Sequence, residues 1–183
     1  MADKTLILIS GMPATGKSTF AGWLAKRLRA PLVSYDRLLD QVCGIIEASG
    51  ADPTAALAMR AMPYELFLFE LEEHLATCGL TVAEYIFSTK MIGLLEELTE
   101  RHGVKALNIH FDCDPQTAYR RYTQRNALLP GNKTRPEVSW EDFLKGAEQN
   151  RAFRFGTRVL EVAGEDLEAV SYQEILAKLE PCL

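Results

Sequence analysis

The chain has 183 residues, 48% hydrophobic and 25% charged, with a formal net charge of −5. That length suits one domain burying roughly two-thirds of its unfolded surface, and the composition is that of a soluble globular protein. Apolar runs fall short of the roughly 20 residues of a membrane span, and the start "MADKTLILIS" lacks the pattern of a signal peptide, so a cytoplasmic protein is expected.

The apolar run Thr5–Ser10 predicts a first strand, and Phe20, Leu24 and Leu28 predict an amphipathic helix over Lys17–Arg29. "PLVSYD", Pro31–Asp36, reads as a short second strand closed by an acid. A mostly helical region follows, with Asp52 as cap and Pro53 at a first helical position, and a fresh helix from Pro63 closed by Gly79. "LTVAEYIFS" predicts a third strand, Met91–His102 a helix, and "VKALNIHFD" a fourth strand ending on Asp112. Asp114 and Pro115 open another helix. "ALLPGNKTRPEVS" is rich in turn residues and reads as an exposed loop. A helix over Trp140–Arg151, a fifth strand "RVLEVAG" and a last helix "SYQEILAKLE" complete the chain. Alternating strands and helices predict an α/β fold, a doubly wound parallel sheet that binds its ligand at the carboxyl ends of the strands.

Gly11, Gly16, Lys17 and Ser18 fit G-x-x-x-x-G-K-[ST], between a predicted strand and a predicted helix. Such a loop turns backbone N–H groups inward above a positive helix end and cradles phosphates; Gly11 through Thr19, with Met12, Pro13, Ala14 and Thr15 between the glycines, are therefore the candidate nucleotide loop. Lys17 would reach the β- and γ-phosphates, Ser18 would hold Mg²⁺, and Thr19 would touch the α-phosphate. ATP and Mg²⁺ are the expected cofactors.

Asp36 would lie on the same sheet edge, where a carboxylate can take the proton of an attacking hydroxyl; a helix cap for the segment from Arg37 is the other reading. Arg37 would touch an acceptor or sit in solvent. Glu84 lies in an apolar strand, where a carboxylate needs a cation or donors, unless the strand end exposes it. Arg121 and Arg125 are four apart on one helix face, suited to an adenine ring and phosphate oxygens. Lys133 and Arg135 lie on the loop that follows, a basic lid over about residues 126–140. His74, His102 and His110 show no ligand spacing and no partner.

Cys43, Cys78, Cys113 and Cys182 lie too far apart for a zinc site and read as reduced thiols. Between Thr117 and Arg158 nine Lys or Arg face four acids, so this segment carries +5 and the remainder −10. Positive charge concentrated in one stretch of an acidic chain suits a polyphosphate better than general nucleic-acid binding.

"GMPATGKST", "VSYD", "TVAEYIF" and "FDCDPQTAYRRYTQR" stand in the order and spacing of small P-loop kinases. The chain resembles the gluconate- and shikimate-kinase-like proteins, chloramphenicol phosphotransferase, polynucleotide 5′-kinases, zeta toxins and relatives described as AAA-family ATPases. The resemblance implies a three-layer α/β/α P-loop fold, nucleoside-monophosphate-kinase-like, with sheet order 2-3-1-4-5 in a single domain over 1–183. It implies an ATP-dependent phosphotransferase in which Asp36 meets the acceptor hydroxyl, Arg121 and Arg125 serve the nucleotide, and Glu84 matches an acid common at the end of the third strand. Where many relatives carry a His-Pro-Gly-His stretch, this chain reads "ALLPGNKTRP", and it shows no clear Walker-B aspartate, Asp112 being the formal candidate. The segment between the second and third strands is poor in cations, which points to a small, neutral or weakly charged hydroxyl acceptor. The alternatives are a polynucleotide 5′-kinase, a zeta-toxin-like nucleotide-sugar kinase, and, in another class, an ATP-binding switch or ATPase with no small acceptor.

Overall fold

The computed structural model describes residues 4–50, 61–128, 137–164, 166 and 170–183. The expected helix start at Asp52 and Pro53 lies outside these residues, as does most of the expected lid, with Lys133 and Arg135. In chain order the elements are β1 (Lys4–Gly11), α1 (Lys17–Leu28), β2 (Leu32–Ser34), α2 (Tyr35–Ala48), α3 (Ala61–Thr77), β3 (Leu80–Glu84), α4 (Ile92–His102), β4 (Val104–Asp112), α5 (Pro115–Ala127), α6 (Trp140–Arg151), β5 (Arg158–Ala163) and α7 (Tyr172–Leu179). The sheet is parallel with order β2-β3-β1-β4-β5, as expected.

β1 is central, and Leu6 through Ile9 are wholly buried because helices cover both faces. Ile7, Ile9, Leu107 and Ile109 pack with Phe20 of α1 and Leu176 of α7 on one face. Leu6, Leu8 and Val33 pack with Phe67 of α3 and Leu95 of α4 on the other. The parallel register places Gly11 opposite Phe111 of β4, and Ile9 opposite Glu84 of β3. The ends of β1, β3 and β4 thus form one edge.

Two strands are shorter than their sequence suggests. β2 stops at Ser34, and Tyr35 and Asp36 open α2 instead of ending the strand. Ser34 is the extended N-cap residue of α2, yet its hydroxyl makes no cap and bonds Glu84 instead. Asp36 is therefore not the cap; its negative charge lies in the first turn, where the helix dipole favours it. β3 ends at Glu84 rather than Ser88, because its ladder partners run out there: Ser34 and Ile9 are the last. The chain then bends away, with Asn150 of α6 donating to the carbonyls of Ile86 (2.9 Å) and Phe87 (3.1 Å).

Capping elsewhere follows the sequence signals. Asp114 accepts from the Thr117 N–H (2.8 Å), Ser139 caps α6, and Arg29 and Gly103 end α1 and α4 in left-handed conformations.

A Cβ at Gly11, whose φ is +123°, would sit 1.9 Å from the Phe111 carbonyl oxygen. Gly11→Ala is expected to destabilise the fold by about 3 kcal/mol or more. In contrast, Gly146 is helical with nothing within 4 Å of an added Cβ. Gly146→Ala is expected to stabilise by about 0.5–1 kcal/mol, and urea unfolding midpoints of the two variants measure both.

Candidate active site

The turn from β1 to α1 is built from backbone conformations that point amides inward. Gly11 (φ 123°), Ala14 (φ 62°) and Gly16 (φ 90°) all have positive φ, and Gly16 is the N-cap residue of α1. Thr15, fully buried, donates to the Met12 carbonyl (2.8 Å), and Lys17 Nζ donates to the same oxygen. Such a turn is an anion nest lying on a helix N-terminus. Pro13 and Ala14 are half-buried, while Ser18 and Thr19 are exposed on the first turn of α1. Met12 anchors the loop from below, buried among Cys113, Ala118 of α5, and Phe143 and Ala147 of α6.

Lys17 is 4% exposed and so is Glu84. Burial pulls the Lys17 ammonium below its ordinary range; the charges of Glu84 and Asp36 oppose this shift and Arg125 adds to it. Burial likewise raises the Glu84 carboxyl, Lys17 pulling it down and Asp36 pushing it further up. Lys17, Asp36, Glu84 and Arg125 therefore share one electrostatic centre. Hydroxyls satisfy the Glu84 carboxylate: Ser34 donates at 2.8 Å and Ser18 at 3.2 Å.

The two arginines of α5 have separate surroundings. Arg121 donates from Nη1 to the Gly164 carbonyl, fastening α5 to the loop after β5; Gly164 N–H in turn donates to the Asp112 carbonyl (2.7 Å). Arg125 lies over the Tyr122 ring, 5.8 Å from its centroid, and in the field of Lys17. Arg37 is exposed and lines a groove with Lys26 of α1 and with Arg29, the residue that caps its C-terminal end.

Two acids at strand ends and one histidine have partners that the sequence did not show. Asp112, the formal Walker-B candidate, makes a two-pronged ion pair with Arg151 of α6 (2.8 and 2.9 Å). The acid that closes an apolar strand beside the loop is Glu84, and the signal was the run T-V-A-E, readable only once β3 was known to neighbour β1. His110, expected to lack a partner, is fully buried and shares a 2.8 Å hydrogen bond with Ser10, which also accepts from Asn108 (2.8 Å). This chain of side chains lies under Gly11.

Among the described residues no group of three His, Cys, Asp or Glu could hold a metal by itself, and no helix is long and apolar enough to cross a membrane. None of the four cysteines is in a disulfide; Cys43 and Cys113 are buried and Cys78 and Cys182 partly so.

A family model described as an AAA domain matches residues 6–149. The chain belongs to this AAA domain family. Its fold is that of the P-loop kinases: a provisionally assigned kinase from Chloroflexus aurantiacus j-10-fl is similar with TM-score 0.80 and 19% identity, covering 99% of this chain and 96% of its own. A gluconokinase from Sinorhizobium meliloti 1021 has TM-score 0.58 and 16% identity, with coverage of 97% and 90%. A shikimate kinase from Bacteroides thetaiotaomicron has TM-score 0.57 and 17% identity, with coverage of 96% and 98%. No curated protein matches.

Burial, reinforced by Arg154 and opposed by Asp112, holds the His110 imidazole down to about 4 from 6.5. Between those values the unfolded chain binds more protons than this AAA-domain fold does, so stability is intact above pH 6.5 and falls with pH toward 4. Urea unfolding should show a loss of about 2 kcal/mol from this group between pH 7 and pH 5. His110→Gln should lack that share of the slope.

Proposed function

We propose that the chain is an ATP- and Mg²⁺-dependent phosphotransferase, a single P-loop kinase domain moving the γ-phosphate of ATP to a hydroxyl of a small acceptor. The observation that carries this reading is the shared electrostatic centre of Lys17, Asp36 and Glu84 at the mouth of the nest. Two carboxylates divide two tasks there. Glu84, at the end of β3 and bonded to Ser18, would share the metal with that hydroxyl; Asp36, at the head of α2, would meet the acceptor. The structural likeness to a gluconokinase and a shikimate kinase supports the transfer chemistry.

The donor set suits Mg²⁺, which binds through one or two carboxylates and phosphate oxygens rather than an all-protein cage. Ser18 and Glu84 would hold it, and when bound it would neutralise charge on the phosphate oxygens. The missing Cβ at Gly11 and the inward amides of the loop suit phosphates. Lys17 would turn from the Met12 carbonyl to the β- and γ-oxygens, whose negative charge opposes the downward pull of burial on its ammonium. Asp36 accepts the proton of the acceptor hydroxyl at its carboxylate and holds that oxygen in line. Arg125 adds positive charge near Lys17, and Arg121 keeps α5 against the loop after β5, on the nucleotide side.

The test is ADP formation from Mg·ATP with pooled hydroxyl compounds, nucleosides, nucleotide sugars and 5′-hydroxyl oligonucleotides. One pool is expected to raise turnover, and Asp36→Asn to lower kcat on it by roughly 100-fold or more. Lys17→Met should abolish transfer, and Glu84→Gln should raise the Mg²⁺ needed for half-maximal rate by roughly tenfold. Slow ADP formation with every pool, unchanged in Asp36→Asn, would replace this reading with an ATP-binding switch or ATPase.

A further inference from the structure

The strand that feeds the phosphate loop changes character at its last buried positions. Leu6, Leu8 and Ser10 of β1 alternate onto one face of the sheet, as do Ala106, Asn108 and His110 of β4. An apolar face thus gives way to three polar side chains directly before Gly11, and all three are wholly buried. Ser10 and His110 are register partners on the parallel ladder, and their side chains share the 2.8 Å hydrogen bond. Asn108 Nδ2 donates to Ser10 Oγ (2.8 Å) and to the Leu8 carbonyl (3.1 Å). Ser10 Oγ already accepts from Asn108, so its one proton goes to His110 Nδ1, which assigns the imidazole to the Nε2–H tautomer.

Stability does not account for these residues. Burying polar side chains costs free energy that their hydrogen bonds barely offset, and apolar side chains of the same shape can be neutral or stabilising in their place. His110 Nε2 and Asn108 Oδ1 have no partner among the described residues, so the chain of bonds is also incomplete. What the bonds share is their convergence on Ser10, the residue before the first glycine of the loop. Gly11 turns out of β1 at φ +123°, against the backbone of Phe111 in β4. The amides that follow point inward only from a strand end held in that register. Ser10 and His110 are the last pair of it in which both residues have side chains.

We propose that His110 is a positioning residue for the phosphate loop: its Nδ1 holds the Ser10 hydroxyl and so fixes the strand end from which Gly11 turns. His110 lies beneath the loop and acts through Ser10, without touching the nucleotide. A strand end that shifts takes the loop amides off the phosphate oxygens, so the effect falls on nucleotide affinity. The inference rests on the binding of ATP by the loop, which is the nucleotide half of the transferase reading.

The test measures the Kd of Mg·ATP by titration calorimetry, well below the melting temperature of every variant. Kd is expected to rise about fivefold or more in His110→Leu and in Ser10→Ala. The double variant should rise no further than the worse single one, because both remove the same bond. His110→Asn, whose Oδ1 takes the place of Nδ1, should stay within about threefold of the parent. Leu98→Ala is the control for general damage: Leu98 is buried near the end of α4, where the chain enters β4 at the edge opposite the loop. It should melt earlier with Kd unchanged. If His110→Leu does not fold, Ser10→Ala and His110→Asn decide. A Kd unchanged in Ser10→Ala, or raised as much by His110→Asn as by Ser10→Ala, overturns the positioning role and leaves the transferase reading intact. Failure of the parent chain to bind Mg·ATP overturns the loop reading and this inference with it.

Discussion

A lysine ammonium and a glutamate carboxylate are buried together at the edge of the sheet, each 4% exposed, and the surrounding structure answers the cost of that burial. Two serine hydroxyls, from the end of β2 and the start of α1, satisfy Glu84. The Met12 carbonyl satisfies Lys17. These partners require β2, β3, β1 and α1 to meet at one edge, which the order β2-β3-β1-β4-β5 provides. Burial pushes both groups toward neutrality, so a polyphosphate and a metal would restore the charged forms that the fold holds at a disadvantage. Stability is given up at the place where binding would recover it.

The loop itself is fixed by contacts that carry no phosphate chemistry. Gly11 lies against the backbone of β4, too close for any side chain. Beneath it Ser10, Asn108 and His110 form a buried polar chain that ties β1 to β4. Met12 is held by the pair α5 and α6, whose own contact includes the Tyr119 hydroxyl on the Val138 carbonyl (3.1 Å) and the Tyr119–Phe143 ring pair. Displacement of α5 or α6 would thus reach the phosphate loop through packed side chains. Arg121 and the Asp112–Arg151 ion pair fasten the same two helices to the sheet edge.

Charge is distributed unevenly along the chain. Eight acids and one arginine lie between Leu38 and Thr89, whereas the segment from Thr117 to Arg158 carries nine Lys or Arg against four acids. Net charge alone, at −5, would have hidden this.

Local pattern determined much of this protein from sequence alone. The strand, the two glycines and Lys17-Ser18 are contiguous, so the phosphate loop and its helix could be read within some twenty residues, and alternating periodicity indicated a parallel sheet. Capping at Asp114 and the turn at Gly103 were equally local. Only tertiary structure decided what Glu84, Asp112 and His110 bond, because their partners Ser18, Arg151 and Ser10 are 66, 39 and 100 residues away. The ends of β2 and β3 were misplaced for the same reason: a strand stops where its neighbour stops, and neighbours are set by sheet order rather than by side-chain pattern. The groove of Lys26, Arg29 and Arg37 was invisible in sequence, since α1 and the head of α2 come together only across the edge strand β2.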